Sequence, residues 1–96
     1  MAAYIIAALE VLDEDLFAQY RARVPSLVAQ FGGRYVIRGG AVEPVEGEPM
    51  FSRLTVLEFA DVAAARRFLD SPQYAPVKQI RLDSCRSRLS IVEGVA

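Results

Sequence analysis

The sequence predicts an α+β fold in which helices cover one face of a four-stranded antiparallel sheet. Three observations carry that prediction. Ala3 to Val11 alternates with apolar residues on both sides until Glu10, as a central strand covered on both faces must. Two further segments place apolar residues at helical spacing, each just after an aspartate that can cap a helix, Asp13 and Asp61. Between them, Phe31-Gly32-Gly33-Arg34-Tyr35-Val36-Ile37-Arg38-Gly39-Gly40 sets a short strand between two glycine pairs.

In chain order, Ala3 to Val11 is the first strand. Ala3, Ile5, Ala7, Leu9 and Val11 share one face, and Tyr4, Ile6 and Ala8 share the other. Asp13, with Glu14 and Asp15 placed for the helix dipole, opens a helix whose inner face is Leu16, Phe17, Tyr20, Val24, Leu27, Val28 and Phe31. Pro25 is expected to kink it and free the carbonyl of Arg21. Gly32 and Gly33 supply left-handed backbone to close the helix, and Gly39 and Gly40 supply a turn or bulge where the second strand, Arg34 to Arg38, stops. Strict alternation puts Arg34, Val36 and Arg38 on one face of that strand and Tyr35 and Ile37 on the other. Two arginines on one face of a covered strand need acidic partners, a ligand or a second subunit.

The segment from Ala41 to Met50 is rich in turn residues. Arg53 to Phe59 is the third strand, with Leu54, Val56 and Glu58 on one face and Thr55, Leu57 and Phe59 on the other. Asp61 caps a second helix running to about Asp70, with Val62, Ala65, Phe68 and Leu69 inward. Ser71-Pro72 restarts the chain, Pro76 permits only a short turn, and a helical stretch from about Val77 to Ser84 leads to a last strand from Ser87 to Glu93. The order β-α-β-β-α-β is the ferredoxin-like plan, expected as one domain over residues 1–96. Its uncovered sheet face is also apolar in the first strand. The expectation is therefore a homodimer that buries the two open faces against each other as a closed, barrel-like unit.

Composition narrows the functions. The 96 residues are 53% apolar, with a net charge of −1 from 11 basic and 12 acidic side chains. No basic patch or long charge run suits nucleic acid. The chain contains no His, Trp or Asn, which excludes a His-ligated metal, a His-ligated haem and a Ser-His-Asp triad within it. Cys85 is the single cysteine, as expected of a reducing, cytoplasmic setting. No cofactor is implied. The apolar start lacks the marks of a signal peptide and is too short to span a membrane.

The residues that could carry chemistry each have two readings. Arg34, Arg38 and Arg53 lie near Glu46 and Glu58 in the strand pattern. They form either a bidentate pocket for an organic anion or an ion-pair network that fixes a dimer. Glu58 is a general base if buried alone, and inert if paired with Arg. Tyr20 and Tyr74 either point hydroxyls into a helix–sheet cavity or are core aromatics. Arg81 either closes that pocket from the helix side or caps a carbonyl. Cys85 reads as a buried thiol, since only Arg86 or Arg81 could activate it.

The chain resembles a small bacterial family known as domain of unknown function 1330, within the dimeric α/β-barrel superfamily. The matching pieces are Ala3-Tyr4-Ile5-Ile6, Phe31-Gly32-Gly33-Arg34-Tyr35, Arg38-Gly39-Gly40, Glu46-Gly47, Arg53 to Phe59, Ser71-Pro72-Gln73-Tyr74, Arg81 and Val92-Glu93-Gly94. The resemblance implies a ferredoxin-like protomer that dimerises through its sheet. Other branches of the superfamily include cofactor-free monooxygenases, isomerases, haem-binding enzymes and ligand-binding regulators. Several of those use His, Trp or Asn, which this chain lacks.

Two functional expectations follow. In the first, a small organic acid or carbonyl compound sits between helices and sheet, held by Arg38, Arg53 or Arg81, with Glu58, Tyr20 or Tyr74 moving a proton in a cofactor-free reaction. In the second, the dimer is a non-catalytic accessory module. Beside these two stands a higher oligomer that uses the segment from Ala41 to Met50 as a second contact.

Overall fold

A computed structural model of the chain describes residues 1–48 and 51–95. The elements are β1 (Ala3–Val11), α1 (Glu14–Gln30), β2 (Arg34–Ala41), β3 (Arg53–Phe59), α2 (Val62–Leu69), α3 (Ala75–Ser84) and β4 (Cys85–Glu93). The four strands form one sheet in the order β2-β3-β1-β4, every neighbouring pair antiparallel. This is the ferredoxin-like α+β plan, with β1 central as its two apolar faces require.

Local chemistry starts and stops the elements where expected. The Asp13 carboxylate accepts from the Leu16 amide at 3.0 Å, and that of Asp61 accepts from the Ala64 amide at 2.8 Å. Gly32, at φ +80°, ends α1; its amide donates to the Ala29 carbonyl and the Gly33 amide to the Val28 carbonyl. That is a Schellman closure. Gly33 serves a second purpose, because a Cβ there would lie 2.6 Å from Cζ of the Phe59 ring. Helix α1 is unbroken through Pro25.

Three boundaries or faces differ from the sequence reading. Strand β4 begins at Cys85, directly from the end of α3, where the Ser84 carbonyl accepts from the amides of Leu12 and Asp13. Val62 is 37% exposed; Ala64 joins Ala65 and Phe68 as the buried face of α2. Strand β2 does not stop at Gly39-Gly40 but bulges there and runs on to Ala41. Residues 42–48 form no strand, and Pro49 and Met50, part of the proposed higher-order contact, lie outside the described residues.

The core lies between sheet and helices. Ile5, Leu57 and Phe59 of the sheet meet Val24 and Val28 of α1, Phe68 of α2, Tyr74 and Val77. The opposite face carries Tyr4, Ile6, Ala8, Val56 and Glu58, and among the described residues no helix covers it. Val36, Ile37 and Val92 are 47%, 38% and 49% exposed. A shallow hollow of about 610 Å³ on this face is lined by Ile6, Ala8, Phe51 and Val92 among others. Among the described residues, no helix is long and apolar enough to cross a membrane.

Candidate functional site

Two β-bulges in β2 decide which arginines meet. The ladder pairs Tyr35 with Leu57, then Ile37 with Val56 and Arg38 with Thr55, so Val36 is an extra residue. The alternation slips by one residue there. Arg34 stays on the open face opposite Glu58, while Arg38 turns to the helix side with Tyr35, Thr55 and Leu57. The expectation that Arg34 and Arg38 share a face is therefore corrected. A second bulge, with Gly39 at φ +64°, points the Gly39 amide at Thr55 Oγ1, 3.2 Å away.

On the open face, Arg34 Nε donates to Glu58 Oε1 at 2.5 Å and Tyr4 Oη to Glu58 Oε2 at 3.1 Å. The Arg34 hydrogen bond, followed by that from Tyr4, holds the Glu58 carboxyl below its usual range. The same bond to Glu58 raises the Tyr4 phenol. Glu58 is thus a paired, ionised carboxylate. It lies across the sheet from Arg38, Arg53 and Arg81 and cannot act on a ligand they hold, which corrects its pairing with them. The nearby carboxylates also differ from expectation: Arg53 pairs with Glu14 at 3.0 Å, not with Glu46.

On the helix side, α1, α2, α3 and the sheet line a cavity of about 240 Å³ that opens to solvent. Tyr20, Tyr74, Arg38, Arg53 and Arg81 all line it. Ser71 sets Tyr74 in place: its hydroxyl donates to the Phe68 carbonyl at 2.9 Å and accepts from the Tyr74 amide at 3.1 Å. The Tyr74 ring packs 4.6 Å from that of Phe68 and is 1% exposed. Helix α3 then carries Arg81 back over the same cavity.

Arg81 is only 5% exposed. Its Nε donates to Tyr74 Oη at 3.3 Å and its Nη1 to Ser87 Oγ, and among the described residues no carboxylate pairs with it. The Tyr20 and Tyr74 hydroxyls lie 2.9 Å apart. Two phenols bring two hydrogens, and only one can lie between them. The other has no acceptor among the described residues and is available to the cavity. If Tyr74 accepts from Arg81 and donates to Tyr20, the free donor is Tyr20, at the end of a chain polarised by the guanidinium. Burial, then its neighbour Tyr74, raises the Tyr20 phenol well above its ordinary range, against the opposing pull of Arg81. Tyr20 is a hydrogen-bond donor at neutral pH and not a base. Burial likewise raises Tyr35, with Arg38 opposing.

Sequence reasoning singles out neither Arg21 nor Ser87. Arg21 stands four residues after Phe17, a helical spacing that puts its guanidinium 5.6 Å from the Phe17 ring centroid. Ser87 shows no signal in sequence, because its contact with Arg81 depends on the abrupt passage from α3 to β4. Cys85 is buried, donates to the Arg81 carbonyl at 3.1 Å, and has its thiol pKa raised by burial. It does not line the cavity. Among the described residues, no group of three or more His, Cys, Asp or Glu is placed to hold a metal ion.

The fold recurs in solved structures. A protein of unknown function from Rhodopseudomonas palustris superposes with a TM-score of 0.79 at 16% identity, over 99% of this chain and 83% of that one. A dimeric ferredoxin-like protein of unknown function from Jannaschia sp. gives 0.73 at 18% identity, over 98% and 100%. SnoaB, a cofactor-independent oxygenase from Streptomyces nogalater, gives 0.66 at 17% identity, over 99% and 94%. At these identities the likeness is one of fold. No curated protein matches the sequence. A family model does, from residue 2 to residue 95, and the chain belongs to the family it describes, the domain of unknown function DUF1330.

Proposed function

We propose that this protein binds a small organic acid, or a carbonyl compound acidic enough to enolise, in the helix–sheet cavity. The observation that carries the reading is Arg81, a buried cation without a carboxylate partner among the described residues, beside a phenolic hydrogen with no acceptor. Burying an unpaired charge is costly, and a ligand oxyanion supplies both missing partners at once. The rest of the lining is largely apolar and aromatic, as in ordinary ligand pockets. A volume of about 240 Å³ lies below the ~300–1,000 Å³ of ordinary small-molecule sites, so the ligand is compact.

The lining also limits the chemistry. Among the described residues it contains no carboxylate and no imidazole, and Tyr20 is a donor. The site is therefore built to hold an anion and not to abstract a proton. A cofactor-free reaction, of the broad kind catalysed by the cofactor-independent oxygenase SnoaB, is open to a substrate that ionises by itself and whose enolate Arg81 and the tyrosines stabilise. The lack of a base favours a second reading, the same cavity used for binding without turnover.

The working unit in this proposal is a homodimer joined through the open sheet faces. The dimeric relative of like fold and the exposed Val36, Ile37 and Val92 support it. The test is a ligand-observed NMR titration with aromatic and aliphatic monocarboxylates on the wild type and on Arg81→Gln. Saturable binding that the variant loses supports the proposal. Binding equal in both proteins, or none in either, refutes it.

A further inference from the structure

Resting on the organic-acid reading above, we infer that the ligand carries a second anionic group, which sits at the mouth of the same cavity. The cavity takes up four of the chain's ten arginines, Arg21, Arg38, Arg53 and Arg81, and none of its 12 acidic residues. In a chain of net charge −1, that concentration is local and predominantly positive, with Glu14, on Arg53, the one carboxylate paired into it among the described residues. Arg81 alone serves the inner end, where it is buried with the tyrosine hydroxyls. The other three are more exposed and lie toward solvent.

The mouth is assembled, not incidental. Arg21 and Arg53 each hold a guanidinium 5.6 Å from the centroid of one ring, that of Phe17, so two cations share a single aromatic platform. Arg38 reaches the helix side only because Val36 is bulged out of the ladder, and its guanidinium then rests 4.7 Å from the Tyr35 ring centroid. Without the bulge, alternation would return Arg38 to the open face beside Arg34. Of these three, only Arg53 has a carboxylate partner among the described residues, Glu14. Three guanidinium forks around one opening repel one another and suit a compact anion, a carboxylate or a phosphate, that each can grip at two points. The ligand class is thus a short apolar body with an acid at each end: one oxyanion on Arg81 and the tyrosines, the other at the mouth.

The test compares alkanoates, alkanedioates and ω-phosphonoalkanoates of matched chain length by calorimetric titration at low and high salt. The expected result is that one doubly anionic series binds on the order of twofold to fivefold tighter than the monoacids at its best length. That advantage should shrink at high salt, because the mouth is solvent-exposed. Replacing Arg21→Gln and Arg38→Gln together should bring the ratio of diacid to monoacid affinity close to one. A gain for the phosphonates alone would identify the outer group as phosphate-like, and a gain for the dicarboxylates alone as a carboxylate. If monoacids bind through Arg81 but neither second anion adds affinity, or the gain survives the double substitution, this inference fails and the organic-acid reading stands. If no acid of any series binds, both fail.

Discussion

Replacing Arg81 with methionine separates a ligand-holding arginine from a structural one. The substitution keeps an unbranched apolar stem and removes the guanidinium. Two hydrogen bonds are lost, but each has a substitute. Tyr74 keeps its 2.9 Å bond to Tyr20, the bond from Arg81 being the longer at 3.3 Å, and Ser87 is only half-buried and can turn to cavity water. Hydrogen bonds from a charged group are worth about 1.5–3 kcal/mol each, and the substitute partners recover part of that. Against this stands the relief of a buried cation with no carboxylate beside it. Replacing a buried ion pair by apolar side chains is often neutral or stabilising by about 1–4 kcal/mol, and a lone buried cation lacks even the attraction of a pair. The two effects nearly cancel, and the ligand-free variant is expected to lie within about 2 kcal/mol of the wild type in stability. For a domain of this size each kcal/mol moves Tm by about 4–8 °C. The assay is differential scanning calorimetry of both proteins at equal protomer concentration, with and without a bound acid. At a hundred times Kd the acid should stabilise the wild type by about 2.7 kcal/mol and leave the variant unmoved. A ligand-free variant less stable by ~3 kcal/mol or more, with ligand stabilisation intact, would refute the reasoning. That pattern is what breaking a buried ion pair produces, and would make Arg81 a structural residue.

Four further outcomes are expected. Glu58→Gln should flatten the acid limb of the stability profile: the folded carboxyl pKa is depressed, so its contribution is full above the unfolded carboxylate pKa and disappears as pH falls through the folded value, below about pH 4. The same substitution should leave acid binding unchanged, and a lost affinity would show that Glu58 communicates with the cavity. Gly33→Ala should destabilise by about 1–3 kcal/mol in urea unfolding, because the new methyl meets Phe59 Cζ at 2.6 Å and Val28 Cγ1 at 3.0 Å; an unchanged midpoint would mean that the Phe59 ring yields freely. Cys85 should react with a thiol reagent at neutral pH only as the protein unfolds, burial having raised its pKa; fast native labelling would contradict its placement. If the proposed homodimer forms through the open sheet face, Ile6→Glu should leave it monomeric in sedimentation analysis where the wild type is dimeric, and a variant as dimeric as the wild type would move the interface elsewhere.

Much of the fold is legible because its signals are local. The apolar faces of β1, the caps Asp13 and Asp61, and Gly32 at the end of α1 each act within a few residues. The candidate site is legible only in part, because it depends on register and long-range contact. Alternation in β2 puts Arg38 with Arg34; a single bulged residue, Val36, reverses that, and nothing in the spacing announces it. Tyr20 and Tyr74 are both noticeable in sequence, but their 2.9 Å contact joins residues 54 positions apart. Whether Glu58 is a base or a paired carboxylate depends on Arg34 lying opposite it in β2 and Tyr4 opposite it in β1. Glu14 as the partner of Arg53 depends on how α1 lies against β3.

The most direct test of the central claim is a native mass spectrum of the protein purified from its own host, recorded beside that of Arg81→Met made in the same cells. The expected result is a dimer that carries the added mass of a small acid on the wild type, released as an anion at higher collision energy, and a bare dimer for the variant. Wild type and variant carrying the same added mass would show that Arg81 does not hold the ligand, and would contradict the account.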